Sequence, residues 1–120
     1  MKLPIQYALF YPDRMPMKGK RVDFYELGTM TFEKPDISTF EGLALAYEAA
    51  RIGGSMPTVY NAANEKAVSL FLEEKISYLG ITELISDAMK HHQVIYNPNL
   101  EEILKTEQES YQYINEVVGK

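Results

Sequence analysis

The chain has 120 residues, 46% hydrophobic and 24% charged, with a net charge of -5 and no cysteine. That supplies apolar material for one modest core, disfavours nucleic acid as a partner, and excludes disulfides, thiolate metal sites and cysteine nucleophiles. No apolar run approaches the ~20 residues that cross a bilayer and no signal-peptide pattern opens the chain, so a cytoplasmic protein without a membrane partner is the natural reading.

Residues 1–36 hold four of the six prolines (Pro4, Pro12, Pro16, Pro35), whereas residues 37–120 carry long helical patterns. Leu3–Tyr11 is expected to form a short helix, with Pro4 in its first turn and Pro12 ending it. The basic cluster Lys18-Gly19-Lys20-Arg21 lies between turn residues without interleaved aromatics and reads as a solvated loop rather than a phosphate or partner contact. Val22–Phe32 mixes aromatic, β-branched and polar residues around Gly28 and reads as extended, with room for a short strand.

The first strong helix is expected from about Thr39 to Ile52. Ser38 and Glu41 have capping-box spacing, and Leu43, Ala46, Tyr47 and Ala50 form an apolar stripe. Gly53-Gly54 supplies the positive-φ stop. A second helix is expected over Pro57–Glu74, with Ser55 or Met56 at its cap. Its stripe is Ala63, Ala67, Leu70 and Phe71, flanked by Val59, Val68 and Leu72. A third, capped by Thr82, is expected over Glu83–His91 and packs through Leu84, Ile85, Ala88 and Met89. A fourth starts at Asn97-Pro98, places Glu101 and Glu102 where the helix dipole favours anions, and runs to about Val118. Its stripe is Leu100, Ile103, Leu104, Tyr111, Ile114 and Val118. The fold class is therefore all-α: a four-helix bundle over 37–120, preceded by a proline-rich, partly extended linker and one short helix in 1–36.

The search for chemistry is mostly negative. Gly53-Gly54 lacks the spacing of a phosphate-cradling turn. His91 and His92 fall about 100° apart around a helix, which excludes an i, i+4 metal pair and suggests a frayed, solvated helix end. One polar group stands out: Asn61, Asn64 and Glu65 share a helix face across small alanines. They read as a structural polar network tying this helix to a neighbour; the competing reading is a face that binds a protein partner. A hydrolase using Glu65 alone has little support, because no second acid, base or metal accompanies it. Tyr47 and Tyr111 fall on core stripes, where packing with a hydrogen bond at the rim is the default. With Ile5, Leu9 and Phe10, Tyr7 and Tyr11 make the first short helix apolar nearly all round, which calls for cover on more than one side.

Several blocks also carry a resemblance. Leu3-Pro4-Ile5-Gln6-Tyr7-Ala8, Tyr11-Pro12-Asp13-Arg14, Val22-Asp23-Phe24, Leu27, Thr31-Phe32 and Pro35-Asp36 occur in that order. They are followed by Leu43-Ala44-Leu45-Ala46-Tyr47-Glu48-Ala49, Gly53-Gly54, Pro57, Asn61-Ala62-Ala63-Asn64-Glu65, Ala67-Val68 and Phe71-Leu72. Together they resemble the C-terminal part of the 1-deoxy-D-xylulose-5-phosphate reductoisomerase family, well over residues 1–90 and more loosely in the last helix. Glu41-Gly42 and Tyr78 depart mildly from the family pattern, which usually has a proline and a small residue at the first and phenylalanine at the second.

The resemblance implies an enzyme of isoprenoid biosynthesis that rearranges and reduces 1-deoxy-D-xylulose 5-phosphate to 2-C-methyl-D-erythritol 4-phosphate, using NADPH and a divalent metal (Mg or Mn). It implies upstream NADPH-binding and catalytic domains in the same chain, and a homodimer. The family's cofactor turn, metal ligands and substrate contacts have no counterpart in this sequence, so this piece alone is expected to be non-catalytic, without a catalytic or metal-ligating residue and without a cofactor of its own. One position is a candidate exception: Met1, if native, falls where the family places a cofactor-binding methionine near the nicotinamide. The alternative to this whole reading is a freestanding helical protein-interaction module.

Overall fold

The computed structural model describes residues 2–119, in which every regular element is helical. The chain divides into two compact units, Met1–Glu33 and Lys34–Lys120.

In the first unit α1 spans Lys2–Phe10, close to the expected helix, and the Tyr11–Pro12 peptide beyond it is cis. None of its residues is buried, and Leu3, Ile5, Leu9 and Phe10 are all exposed. Tyr7 meets the edge of Tyr11 at 5.6 Å and carries the Arg14 guanidinium 4.1 Å above its ring, a cation–π contact. Lys18–Arg21 is exposed and irregular. The Val22–Phe32 stretch corrects the extended reading: Phe24–Leu27 forms a one-turn helix, α2. The cause is local. Asp23 accepts hydrogen bonds from the amides of Tyr25 (2.8 Å) and Glu26 (3.3 Å), and Gly28 at φ 70° ends the turn.

In the second unit the chain enters through a tight turn at Asp36. Its Oδ1 accepts from the Ser38 amide (3.0 Å), the Ser38 hydroxyl (2.6 Å) and the Thr39 amide (3.1 Å). Its Oδ2 accepts from the Thr39 hydroxyl at 2.5 Å. A carboxylate is a stronger acceptor than a neutral oxygen, so it captures the hydroxyl expected to cap the next helix. The Ser38–Glu41 capping box does not form, and α3 starts at Glu41 behind Phe40 without a side-chain cap.

The same hydrogen bonds, the Ser38 hydroxyl foremost, hold the Asp36 carboxyl at about 2 against an ordinary 3.8. A depressed carboxyl stabilises the turn above pH 3.8, and that contribution disappears as pH falls through about 2. A carboxyl shift titration read together with the Thr39 amide is expected to show a common midpoint near 2; a midpoint at 3.8 would contradict this.

α3 spans Glu41–Ile52, but its inward residue is Ala49, backed by the half-buried Leu45; Tyr47 and Ala50 of the expected stripe face solvent. α4 spans Met56–Leu72 with Pro57 in its first turn. It is the central helix, in contact with α3, α5 and α6. It buries Met56, Val59, Ala62, Ala63, Ala67 and Leu70. Val59 thus belongs to the core rather than its flank, while Phe71 is half-buried and Leu72 faces out. The three alanines present little bulk, which lets neighbouring helices approach α4 closely.

α5 spans Tyr78–His91 and buries Leu84, Ile85, Ala88 and Met89, the four residues of its expected stripe. It begins five residues before the expected Glu83, because Ser77, not Thr82, is the cap and accepts from the Gly80 amide at 3.1 Å. Thr82 sits inside the helix and donates to the Leu79 carbonyl.

α6 spans Leu100–Val118. Its start is Asn99 rather than Asn97-Pro98, since Asn97 adopts φ 55° and Asn99 makes a reciprocal capping box with Glu102. The inward face is Thr106, Ser110 and Ile114, whereas Leu100 and Leu104 of the expected stripe are exposed. Burying two hydroxyls is tolerable because each donates at 2.7 Å to the carbonyl four residues earlier, Thr106 to Glu102 and Ser110 to Thr106.

Candidate functional site

Two polar constellations stand out among the described residues. The first joins α4 to α6. Asn61 and Glu65 are one turn apart on α4, and the Asn61 Nδ2 donates to Glu65 Oε1 at 3.1 Å. The Tyr111 hydroxyl of α6 donates to Glu65 Oε2 at 2.8 Å, with a longer contact of 3.4 Å to Glu107 Oε1. Tyr111 is half-buried, and its hydroxyl bond to Glu65 lies at the exposed surface. Asn64 is half-buried on the same helix but is not brought into this group by a side-chain hydrogen bond among the described residues.

The carboxylate of Glu65, above all, pushes the Tyr111 phenol up to about 12. A phenol held protonated through the neutral range donates a hydrogen bond; it is a poor base and a poor nucleophile. The raised value has a consequence for stability. Tyr111 supports the fold fully below the ordinary tyrosine value of 10, and that support is lost as pH rises through about 12. Tyr111→Phe is expected to cost no more than about 1 kcal/mol in a urea melt, because the pair is solvent-screened. It should also remove the latest component of the ultraviolet tyrosine titration; an unchanged titration would place the high value elsewhere.

The second constellation lies between the α3–α4 turn and the end of α5. Ser55 is fully buried. Its Oγ accepts from the Ile95 amide at 2.9 Å and lies 2.7 Å from His92 Nε2, while its own amide donates to the Ile95 carbonyl at 3.0 Å. Gly54, at φ 55°, packs so tightly here that a Cβ would lie 2.5 Å from the Ile95 carbonyl oxygen. The histidines are therefore not a frayed end. His92 is half-buried, and burial pushes its imidazole below the usual range against the opposing pull of Glu109. His91 is exposed, yet its ring stacks on Tyr113 at 4.1 Å, and the Tyr113 hydroxyl donates to Asp87 at 2.8 Å. No sequence signal foretold the Ser55–His92–Ile95 group, in which Ser55 meets residues 37 and 40 positions further along the chain.

The remaining candidate, Met1, lies outside the described residues. Among those residues, no three His, Cys, Asp or Glu side chains gather to hold a metal ion. Gly54 offers no cradle for a phosphate, because the Ile95 backbone already fills the space beside it.

Comparison with known proteins gives this architecture a context. The model of the DXP reductoisomerase C-terminal domain matches residues 1–113. The chain is 54% identical over 115 residues to 1-deoxy-D-xylulose 5-phosphate reductoisomerase of Agathobacter rectalis, covering 96% of this chain and 30% of that protein. It is 57% identical over 115 residues to the protein of the same name from Lachnoclostridium phytofermentans, covering 95% of this chain and 30% of that protein. It superposes with a TM-score of 0.83 and 34% identity on the reductoisomerase of Zymomonas mobilis solved in complex with NADPH, covering 99% of this chain and 32% of that one. The chain thus spans about a third of the length of the relatives it matches. With all but its last seven residues inside the matched range, and a TM-score of 0.83 to a solved relative over 99% of its length, the chain belongs to the DXP reductoisomerase C-terminal domain family.

Proposed function

We propose that this chain is the scaffolding C-terminal part of a 1-deoxy-D-xylulose-5-phosphate reductoisomerase. That enzyme rearranges and reduces 1-deoxy-D-xylulose 5-phosphate to 2-C-methyl-D-erythritol 4-phosphate at the expense of NADPH, in the cytoplasm and as a homodimer. Residues 1–36 are the end of its catalytic domain and the linker; residues 37–120 are the C-terminal four-helix domain. The carrying observation is identity of 54–57% to proteins of that name over nearly the whole chain. NADPH and the divalent metal are assigned to the other domains of that enzyme, with Met1 the one candidate cofactor contact in this chain.

Asn61 and Glu65, with Asn64 beside them, act in the same structural sense. Both oxygens of Glu65 already accept a hydrogen bond within the chain, one from each of two helices. That commitment favours a network holding α6 to α4 over a face awaiting a protein partner.

The test has two arms. Calorimetry on the isolated chain is expected to give no saturable heat with NADPH, and micromolar binding would overturn the scaffold role. The chain joined to the upstream domains of its own reading frame is expected to oxidise NADPH when given the sugar phosphate and magnesium. No oxidation would overturn the assigned activity.

A further inference from the structure

The α3–α4 turn is tied to the connection leading into α6 by the Ser55 hydroxyl, and the protons there can be counted. The Ile95 amide can only donate, so it occupies one lone pair of Ser55 Oγ. When His92 Nε2 carries no proton, the serine hydroxyl donates to it across 2.7 Å, and both Oγ and Nε2 are satisfied. An imidazolium carries protons on both nitrogens, so Nε2 must then donate to Oγ. The hydroxyl hydrogen of Ser55 is left with no other acceptor among the described residues, at a side chain closed to solvent. A buried donor without an acceptor is costly.

We infer that His92 is a proton-operated clasp: neutral, with its proton on Nδ1, it fastens residues 92–95 to the α3–α4 turn, and protonation loosens that connection while the helices stay folded. The second tie, from the Ser55 amide to the Ile95 carbonyl, does not titrate, so the opening is local and partial.

The surroundings fit this operation. Burial holds the imidazole below its ordinary 6.5, which keeps the clasp closed at neutral pH. Glu109 of α6 favours the charged form, and His91, the last residue of α5, opposes it. Tyr113 and Glu116 of α6 line the same cleft. The turn Gly53-Gly54-Ser55 and the segment Gln93-Val94-Ile95 bring no further titratable side chain. Because the folded value is depressed for a base, the contribution is complete above 6.5 and is lost as pH falls toward the lowered value.

Nitrogen NMR of the wild-type imidazole at pH 8 is expected to show the Nδ1–H tautomer. Amide exchange of Ile95, corrected for intrinsic rates and referenced to Ala67 inside α4, should lose protection on the order of tenfold between about pH 8 and pH 5. His92→Gln, which cannot gain a proton, is expected to show a flat profile. An Nε2–H tautomer, an Ile95 profile independent of pH, or a parallel loss at Ala67 would each overturn the clasp. So would an equal loss in His92→Gln; and if that variant does not fold, the wild-type tautomer and the Ile95–Ala67 comparison still decide.

Discussion

Replacing Gly54 by alanine is expected to lower the stability of the helical unit by about 2–4 kcal/mol, and replacing it by valine by more. Two independent costs combine. Gly54 sits at φ 55°, where an L side chain meets its own backbone at a cost of roughly 1–2 kcal/mol. The new Cβ would also lie 2.5 Å from the Ile95 carbonyl oxygen and 3.1 Å from Val94 Cγ1. The first of these is backbone, which cannot swing aside as a side-chain end does. It is moreover the carbonyl that accepts the Ser55 amide, so relief of the clash breaks a buried hydrogen bond. Against a typical domain stability of about 5–15 kcal/mol, such a loss is a large fraction of the whole.

Gly53 supplies the control. It too has a positive φ, 70°, but nothing lies within 4 Å of its would-be Cβ. Gly53→Ala carries backbone strain alone, about 1–3 kcal/mol because φ 70°, ψ -152° is a region essentially reserved for glycine, so any excess loss in Gly54→Ala in urea melts reports the clash with Ile95. A Gly54→Ala midpoint equal to that of the wild type would mean that neither the positive φ nor the close approach of Ile95 costs stability.

This comparison marks what the amino-acid pattern reveals and what it hides. Gly53-Gly54 is legible as a helix stop, because tandem glycine after an amphipathic run has one common use. That Gly54 lies against residue 95 is not legible, since the contact joins segments with no pattern in common. The same division runs through the helices. Leu84, Ile85, Ala88 and Met89 repeat at helical spacing with no other apolar residue between Glu83 and His91, and all four are buried. On α3, alanines on several faces leave the register ambiguous, and Ala49 rather than Ala46 or Ala50 turns inward. Local capping is decided by competition: Ser38 looks like a cap until Asp36, two residues earlier, takes its hydroxyl. The Asn61–Glu65 pair is visible in the sequence as a shared face, and Tyr111 as a tyrosine with its hydroxyl at a rim. Their meeting at 2.8 Å depends on how α6 is rotated.

The rotation of α6 gives the second large effect. Ile114→Ala is expected to destabilise the unit by about 2–5 kcal/mol, whereas Leu104→Ala on the same helix should cost well under half of that. An apolar-only reading of the sequence puts both residues on one inward stripe, yet Ile114 is 0% exposed and Leu104 is 50% exposed. Truncating Ile114 removes methyl groups from the cluster that includes Ala63, Ala67 and Ile85, and the alanines offer no flexible side chain to collapse into the space. Truncating Leu104 leaves a surface that water already reaches. The orientation follows from Thr106 and Ser110, which continue the Ile114 face at four-residue spacing and are buried with their hydroxyls returned to the helix backbone. A helix so placed trades two leucines at the surface for a slim inward face that fits against the alanines of α4, and it sets Tyr111 opposite Glu65. Paired thermal melts of the two variants decide the matter: comparable losses at Ile114 and Leu104 would show that α6 is rotated away from this packing, and the Glu65–Tyr111 bond would have to be abandoned with it.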